Sequence, residues 1–422
     1  MSLTRALLDI FESAVGAADA SACLPPHLPT PPKGRTIVVG AGKAAAAMAA
    51  VVESHWPGPL SGLVVTRYGH GAPCRRIEVV EAAHPVPDEK GREAAARILA
   101  AVQGLTTDDL VLCLISGGGS ALLTLPAPGI ALAEKQAINR ALLRSGAPIG
   151  AINTVRKHLS AIKGGRLAAA AHPARVVTLL VSDVPGDDPA TIASGPTVGD
   201  PTTNAQALAV LEKYAIAIPP TVRARLSSVA DETPKPGDAR LAASRAIVVA
   251  TPARSLAAAA ETARRLGYAP RVLGDRVEGE AHKVAKVHAA LAREARAAGI
   301  AQAIISGGEL TVTIADDGGR GGPNAEYMLA MALALDGIEG IHALACDTDG
   351  IDGSEDNAGA VIAPDTLARG RALGLDAAAA LARNDSYAYF EALDDLVVTG
   401  PTRTNVNDLR VILVDQSDQP AT

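Results

Sequence analysis

The stretch LVLCLISGGGS, residues 110–120, decides the fold class. Six consecutive apolar residues, Leu110 to Ile115, stop abruptly at Ser116-Gly117-Gly118-Gly119-Ser120. A half-exposed strand alternates apolar and polar side chains, so an unbroken run reads as a strand buried on both faces. Such strands belong to parallel sheets covered by helices on both sides. The same pattern surrounds it. Thr36–Val39 ends at Gly40-Ala41-Gly42 and leads into an Ala-rich helix to about Ser54. Leu63–Thr66 and Ile77–Glu81 are short β-branched runs, Glu89–Val102 is patterned as a helix, and Val176–Val181 is an apolar strand stopping at Ser182-Asp183. The expectation is an α/β fold whose ligand sites lie where strands end at the carboxyl edge of the sheet.

Working outward, residues 1–20 read as an amphipathic helix, and the proline-rich Leu24–Lys33 as an extended connector. The polar segment Ser227–Asp238 is the expected boundary, giving domains of residues 1–235 and 240–422. Beyond it the motifs recur. Ala246–Ala250 precedes another Ala-rich helix, and Gly279–Ala298 is a charged helix. Ala303–Ile305 ends in Ser306-Gly307-Gly308-Glu309, and Ile341–Ala345 leads to Asp347-Thr348-Asp349-Gly350-Ile351-Asp352. Either a duplication or chance recurrence of short Gly/Asp motifs accounts for this. The polar tail Asp415–Thr422 is expected to lack fixed structure.

Composition narrows the function. The chain of 422 residues is 48% hydrophobic but only 2% aromatic, so its cores must be built from Ala, Val, Leu and Ile. A net charge of −6 offers no concentrated basic face for nucleic acid. Cys23, Cys74, Cys113 and Cys346 are scattered without a C-x-x-C pair, which argues against a disulfide framework and a zinc site. Asp9 and Glu12 interrupt the first apolar segment, so it does not read as a signal peptide, and no run is long enough to span a bilayer. A cytoplasmic location is expected.

Four features carry candidate chemistry. Ser116–Ser120 after a strand presents backbone N–H groups without obstructing Cβ atoms, which suits phosphate. Gly307 and Gly308 form a second such loop, and Gly318–Gly322 a third with Arg320 embedded. The turn Gly40-Ala41-Gly42-Lys43-Ala44-Ala45 fits G-x-G-x-x-A, a weak dinucleotide fingerprint. Lys43, however, places a cation in that turn, where it could clamp a transferring phosphate. The acidic loops holding Asp183, Asp187 and Asp188, and Asp349 and Asp352, could ligate a divalent metal or take a proton from an attacking hydroxyl. Aspartates in turns and helix caps are the plain alternative. Finally, Arg156, Ser160 and Lys163 would share one face of a helix and could clamp a small carboxylate. His158 and His84 read more readily as satisfied or turn histidines than as catalysts.

Taken together, the stretches VVGAGKAA, HPVPDEKG, LISGGGSALL, INTVRKHLSAIKGGRLA, SDVPGDDPATIASGPT, the GGRGGPNAE region, DTDGIDGSEDNAGA and TGPTRTNVNDL resemble the glycerate 2-kinases with paired DUF4147 and MOFRL domains. The resemblance implies a Rossmann-like three-layer N-terminal domain, a smaller MOFRL-type α/β domain, and an active site in the cleft between them. It implies ATP-dependent conversion of D-glycerate to 2-phosphoglycerate with Mg²⁺, and leaves room for a homodimer. Lys43 matches the family's proposed catalytic lysine and Arg320 its glycine-flanked arginine. Asp183 and Asp187 are candidates to orient or deprotonate the hydroxyl, and Asp188, Asp349 and Asp352 to hold metal. Gly40, Gly42, Ser116, Gly117, Gly118, Gly119, Ser120, Gly307, Gly308, Gly321, Gly322 and Asn324 are candidates for the nucleotide. Arg156, Lys163 and His84 are candidates for substrate. Pro323 departs from the pattern, which has another basic residue there. Similar sequences often carry a hydroxypyruvate reductase label, so an NADP-dependent reductase stays open. So does a non-catalytic module sensing sugar acids or phosphates.

Overall fold

A computed structural model of the protein describes residues 2–314 and 318–416; the polar tail beyond Gln416 lies outside the described residues. Contacts divide the chain into two units, Ala20–Val249 and a second made of Met1–Asp19 with Ala250–Thr422.

The first unit is built on β1 (Thr36–Ala41), β2 (Ser61–Arg67), β3 (Ile77–Ala82), β4 (Leu110–Ile115), β5 (Arg175–Val181) and β6 (Ser244–Ala250). Their order is β3-β2-β1-β4-β5-β6, with β1 through β5 all parallel. Every residue of β1 and β4 is buried, as unbroken apolar runs require. Ile37, Val39 and Ala41 of β1 pack with Ala94, Ala95 and Ile98 of the helix Glu89–Ala101. Asp88 starts that helix by accepting a hydrogen bond from the Gly91 amide at 2.9 Å. The order reverses between β1 and β4, the place in such a sheet where ligand sites lie at the carboxyl ends of the strands. Lys43 and Ser116–Ser120 are on the loops leaving those two strands.

The second unit is not a copy of the first. Its sheet contains β7 (Ala269–Gly274), β9 (Gln302–Ser306), β11 (Ile341–Asp347), β12 (Gly359–Ile362), β13 (Leu396–Val397) and β14 (Asp408–Val414). The order is β13-β12-β11-β14-β9-β7, and only the β7–β9 pair is parallel. β8 (Gly279–Glu280) and β10 (Leu310–Thr311) form a separate parallel pair. Along β14 the side chains alternate between two cores. Ile412 and Val414 face the helices Ala281–Ala297 and Pro323–Leu335, whereas Leu409, Val411 and Leu413 face Leu3–Ala17 and Pro252–Arg265.

Two features depart from the sequence reading. The helix Leu3–Ala17 buries Leu7, Ile10 and Phe11 in the second unit, remote in sequence from its partners Leu256 and Val411. Each such side chain is worth roughly 1.5–3 kcal/mol on burial, enough to hold the helix there. The polar segment Ser227–Asp238 is no free linker either. Thr233 donates to Asp200 at 3.1 Å and Glu232 accepts from the Asn204 amide at 2.7 Å, fastening it within the first unit. The division between units falls after Val249.

Candidate active site

At the carboxyl ends of β1 and β4 two loops interlock. A Cβ on Gly42, whose φ is +140°, would meet Ser116 Oγ at 2.1 Å, and one on Gly40 would meet the Leu114 carbonyl at 2.3 Å. Glycine at both positions therefore serves close packing of the loops. The amides at this turn are spent on the protein itself. Gly42 N donates to the Val65 carbonyl, Lys43 N to the Gly117 carbonyl at 2.8 Å, and Ala44 N to Ser116 Oγ at 2.9 Å. A dinucleotide pyrophosphate would need those same amides. The amides of Gly117 and Gly118, by contrast, make no backbone hydrogen bond among the described residues. Gly118 has φ +76°, and a Cβ there would lie 3.1 Å from His84 Nε2 and 3.3 Å from Lys43 Cγ. Lys43 and His84 thus flank a bare stretch of backbone, a cradle that a side chain would fill.

Beside this cradle opens a cavity of about 310 Å³, lined in part by His84, Gly118, Ser120, Lys135, Arg156 and Lys163. The expected helical face does not exist: the helix Ile149–His158 ends before Ser160 and Lys163. The chain leaves the helix after His158 and Ser160 pairs with Pro126, yet Lys163 still lines the cavity that Arg156 lines. Lys163 is buried and donates to the Ala193 carbonyl at 3.4 Å. Arg156 Nε donates to Asn139 Oδ1 at 3.4 Å. Lys135, on the helix Leu132–Arg144, is buried with no hydrogen-bond partner for Nζ among the described residues. Burial, reinforced by Arg156, pushes Lys135 down to about 7, and burial with both neighbours lowers Lys163 far below the usual lysine range.

The wall of the cradle is strained. Ala193, Ser194 and Gly195 have φ of 51°, 60° and 58°, a left-handed run that costs non-glycine residues roughly 1–2 kcal/mol each. What it secures is a directed relay. Ser194 Oγ donates to Asn153 Oδ1 at 3.1 Å, so the 2.8 Å contact with Ser120 must be donated by Ser120. Strain of this kind collects at functional sites. His158 is not part of it. Its ring is fully buried between Asn204 Oδ1, at 2.7 Å, and Thr202, and acts as a packing histidine.

The acidic loop after β5 divides its labour. Asp188 spends its oxygens on the Ala190 amide and the Thr191 hydroxyl, both at 3.0 Å, capping the following turn. Asp187 sits at φ 55°, and its Oδ1 is buried without a partner among the described residues. No cluster of three or more His, Cys, Asp or Glu side chains suited to a metal occurs among the described residues. Mg²⁺ does not require one, since it takes one or two carboxylates with substrate phosphate and water. The orphaned Asp187 oxygen, with Asp183 on the same loop, fits that demand.

In the second unit the glycine loops are used differently. A Cβ on Gly308 would strike Val277 backbone at 2.4 Å, and the carbonyls of Gly307 and Gly308 accept from the fully buried Arg410 at 2.7 and 3.1 Å. Gly321 and Gly322 pack against Ser386 Oγ and Asp352. Pro323 occupies the first turn of the helix Pro323–Leu335, where its missing N–H costs nothing. Asp352, a metal candidate from sequence, is buried. It accepts from the amides of Asn324 and Ala325 at 2.9 and 2.8 Å, serving the helix start with both oxygens. Burial pushes it up to about 7. Asn324 also donates to Asp408 at 2.8 Å, and Asp349, likewise buried, accepts from the Ile351 amide at 2.8 Å. Arg320 is exposed but held in place. Its Nε and Nη2 donate to Glu355 at 2.9 and 2.8 Å while the guanidinium lies 4.1 Å over the Tyr387 ring.

Comparison with known proteins agrees with this layout. Residues 6–227 match a domain of unknown function, DUF4147, and residues 302–408 match the MOFRL family. The chain is 39% identical to the D-glycerate 2-kinase of Thermotoga maritima over 98% of its own length and 99% of that protein. It belongs to the glycerate 2-kinase family. A crystal structure of a Thermotoga maritima glycerate kinase superposes with a TM-score of 0.87 at 38% identity, covering 98% of this chain and 99% of that one. A protein of Agrobacterium vitis with a provisional hydroxypyruvate reductase name is 55% identical over 98% of this chain and 95% of that protein. The DUF4147 part holds the cation-lined cavity, Lys43 and the Ser116–Ser120 cradle; the MOFRL part holds Arg320, Asp349 and Asp352. Sequence reasoning missed Lys135, Asn153 and Ser194. Lys135 stands among charged neighbours in LAEKQAINRALLR and looks like an ordinary surface lysine until burial is known.

Proposed function

We propose that the protein phosphorylates the 2-hydroxyl of D-glycerate with ATP, giving 2-phosphoglycerate and ADP. The observation that carries this reading is the cavity at the β1/β4 crevice. Buried cations with no acid among its lining residues open onto glycine amides and Lys43. Phosphoryl transfer passes through a loose transition state, so an enzyme for it needs chiefly positioning and charge stabilisation. In the proposed reaction Arg156 and Lys163 hold the glycerate carboxylate, with His84 beside them. The amides of Gly117 and Gly118, with Ser120, receive phosphate oxygens. The 2-hydroxyl oxygen attacks the γ-phosphorus as the bond to the β-phosphate oxygen breaks, and its proton passes to Asp187 or Asp183. Lys43 stabilises charge developing on the transferring group, where a preorganised cation in a dry site is worth most. Arg320, held by Glu355 and Tyr387, and the buried Asp349 are proposed as the second unit's functional residues. Mg²⁺, when bound, would neutralise phosphate charge, with Asp187 and Asp183 the best-fitting ligands. No helix among the described residues is long and apolar enough to cross a membrane, and the cytoplasm is the proposed location.

The reductase alternative rests on the G-x-G-x-x-A turn and on the names of relatives. It is not favoured, because the turn's amides are consumed by Val65, Gly117 and Ser116. The deciding experiment is ³¹P NMR of protein with ATP, Mg²⁺ and D-glycerate, beside an NADPH-plus-hydroxypyruvate absorbance assay. A phosphomonoester signal of 2-phosphoglycerate supports the kinase; NADPH consumption without any phosphorus product sinks it.

A further inference from the structure

The cavity gathers more basic side chains than one carboxylate can use. Lys135, Arg156 and Lys163 all line it, and no aspartate or glutamate is among its lining residues. The charges that bear on Lys163 are Lys135 and Arg156, and the one that bears on Lys135 is Arg156; no carboxylate offsets them. His84, from the loop after β3, and Arg140, from the same helix as Lys135, add no acid. Placing desolvated like charges together without counter-charge is costly, and folding gains nothing from it. Lys135 Nζ in particular is buried and has no hydrogen-bond acceptor among the described residues. A ligand must supply what the fold withholds.

We infer that the cavity is a receptor for a doubly anionic ligand, a carboxylate bearing a phosphoryl group on the neighbouring carbon, and that Lys135 is the residue distinguishing it from the bare hydroxy acid. The inference rests on the kinase reading and deepens it: the site retains the phosphorylated acid more tightly than the acid it receives. A bare hydroxy acid brings a single charge, which the Arg156 guanidinium can match alone. The phosphoryl group brings further charge and acceptor oxygens, which Lys135 meets while Arg156 and Lys163 stay with the carboxylate. Because burial holds Lys135 near neutrality in the free protein, the phosphorylated acid binds with uptake of a proton at slightly alkaline pH.

The test is calorimetric titration at about pH 8, without nucleotide, of 2-phosphoglycerate and of D-glycerate, in two buffers of different ionisation enthalpy. One additional charge-assisted contact corresponds to a preference of about tenfold or more for 2-phosphoglycerate. Buffer-dependent heat, the signature of proton uptake, is expected for that ligand alone. Lys135→Met should abolish most of the preference and reduce the buffer dependence while changing D-glycerate affinity less than about threefold. Lys135→Arg, which keeps the charge, should retain the preference and guards against a folding defect in the methionine variant. Equal affinities in the unmodified protein, or a preference that survives Lys135→Met, overturns the inference. Turnover in the ³¹P assay with no preference sinks this inference alone. A preference without turnover sinks the kinase reading and leaves the receptor standing.

Discussion

Lys163 in the first unit and Arg410 in the second are both buried cations beside glycine loops, and the chain treats them in opposite ways. Arg410 is saturated: it donates to Asp408 at 3.1 Å, to Ser306 Oγ at 3.3 Å and to the carbonyls of Gly307 and Gly308. Those contacts turn the Gly307–Gly308 carbonyls inward and lock the loop. Lys163 has one carbonyl at 3.4 Å and two cationic neighbours. A buried charge completed by the protein is architecture, whereas one left incomplete marks where a ligand completes it. The same Ser-Gly-Gly spelling therefore belongs to a structural loop in one place and to a candidate binding loop in the other.

The largest expected effect tests whether the loop beside that cavity does chemistry. Lys43→Ala should lower kcat by about a thousandfold, with KM for D-glycerate changed by less than about threefold, because charge stabilisation at the transferring group acts in the transition state. Steady-state kinetics measure both, and an unaltered kcat removes Lys43 from the mechanism. Next comes a paired replacement that would break the comparison outright. Arg410→Met strands Asp408 in the core and should cost about 3–5 kcal/mol of unfolding free energy. Lys163→Met, at an equally buried site, should leave stability unchanged or raise it by about 1 kcal/mol, since it removes a buried polar group that the fold leaves short of partners. Denaturant midpoints compare the two; similar losses in both would show that Lys163 is structural.

The smallest effect concerns pH. Burial pushes Lys135 down to about 7 from the ordinary lysine value of 10.5. Between these limits the unfolded chain binds the proton and the folded protein does not, so stability without ligand rises with pH across this window. The slope from this group is at most about 1.4 kcal/mol per pH unit, and because Lys163 is lowered for the same reason, Lys135→Met should reduce the rise without abolishing it. An unchanged slope in the variant assigns the dependence to other groups.

Much of the fold was legible from local pattern. Leu110–Ile115 is a strand with the expected limits, and Glu89–Val102 a helix to within one residue. Apolar runs and glycine stops act through nearest neighbours along the chain, so one sequence displays them. The second sheet was less legible: its runs look like those of the first, yet its pairing is mostly antiparallel. Strand direction depends on partners distant in the chain. The Arg156–Ser160–Lys163 face failed for a related reason. Helical spacing was extrapolated past His158, where the helix ends and Ser160 pairs with Pro126 instead, so the two cations line one cavity without sharing a helix face.

The sequence alone determined the alternation of strands and helices, the glycine and aspartate loops at strand ends, and the family, because propensity, breakers and motif spelling are written residue by residue. Only the tertiary structure decided which loop amides stay open, which buried cations find a counter-charge, and that Lys135 belongs with Arg156 and Lys163. Whether a charge is satisfied depends on burial and on groups far away in the chain, and neither quantity exists until the chain has folded.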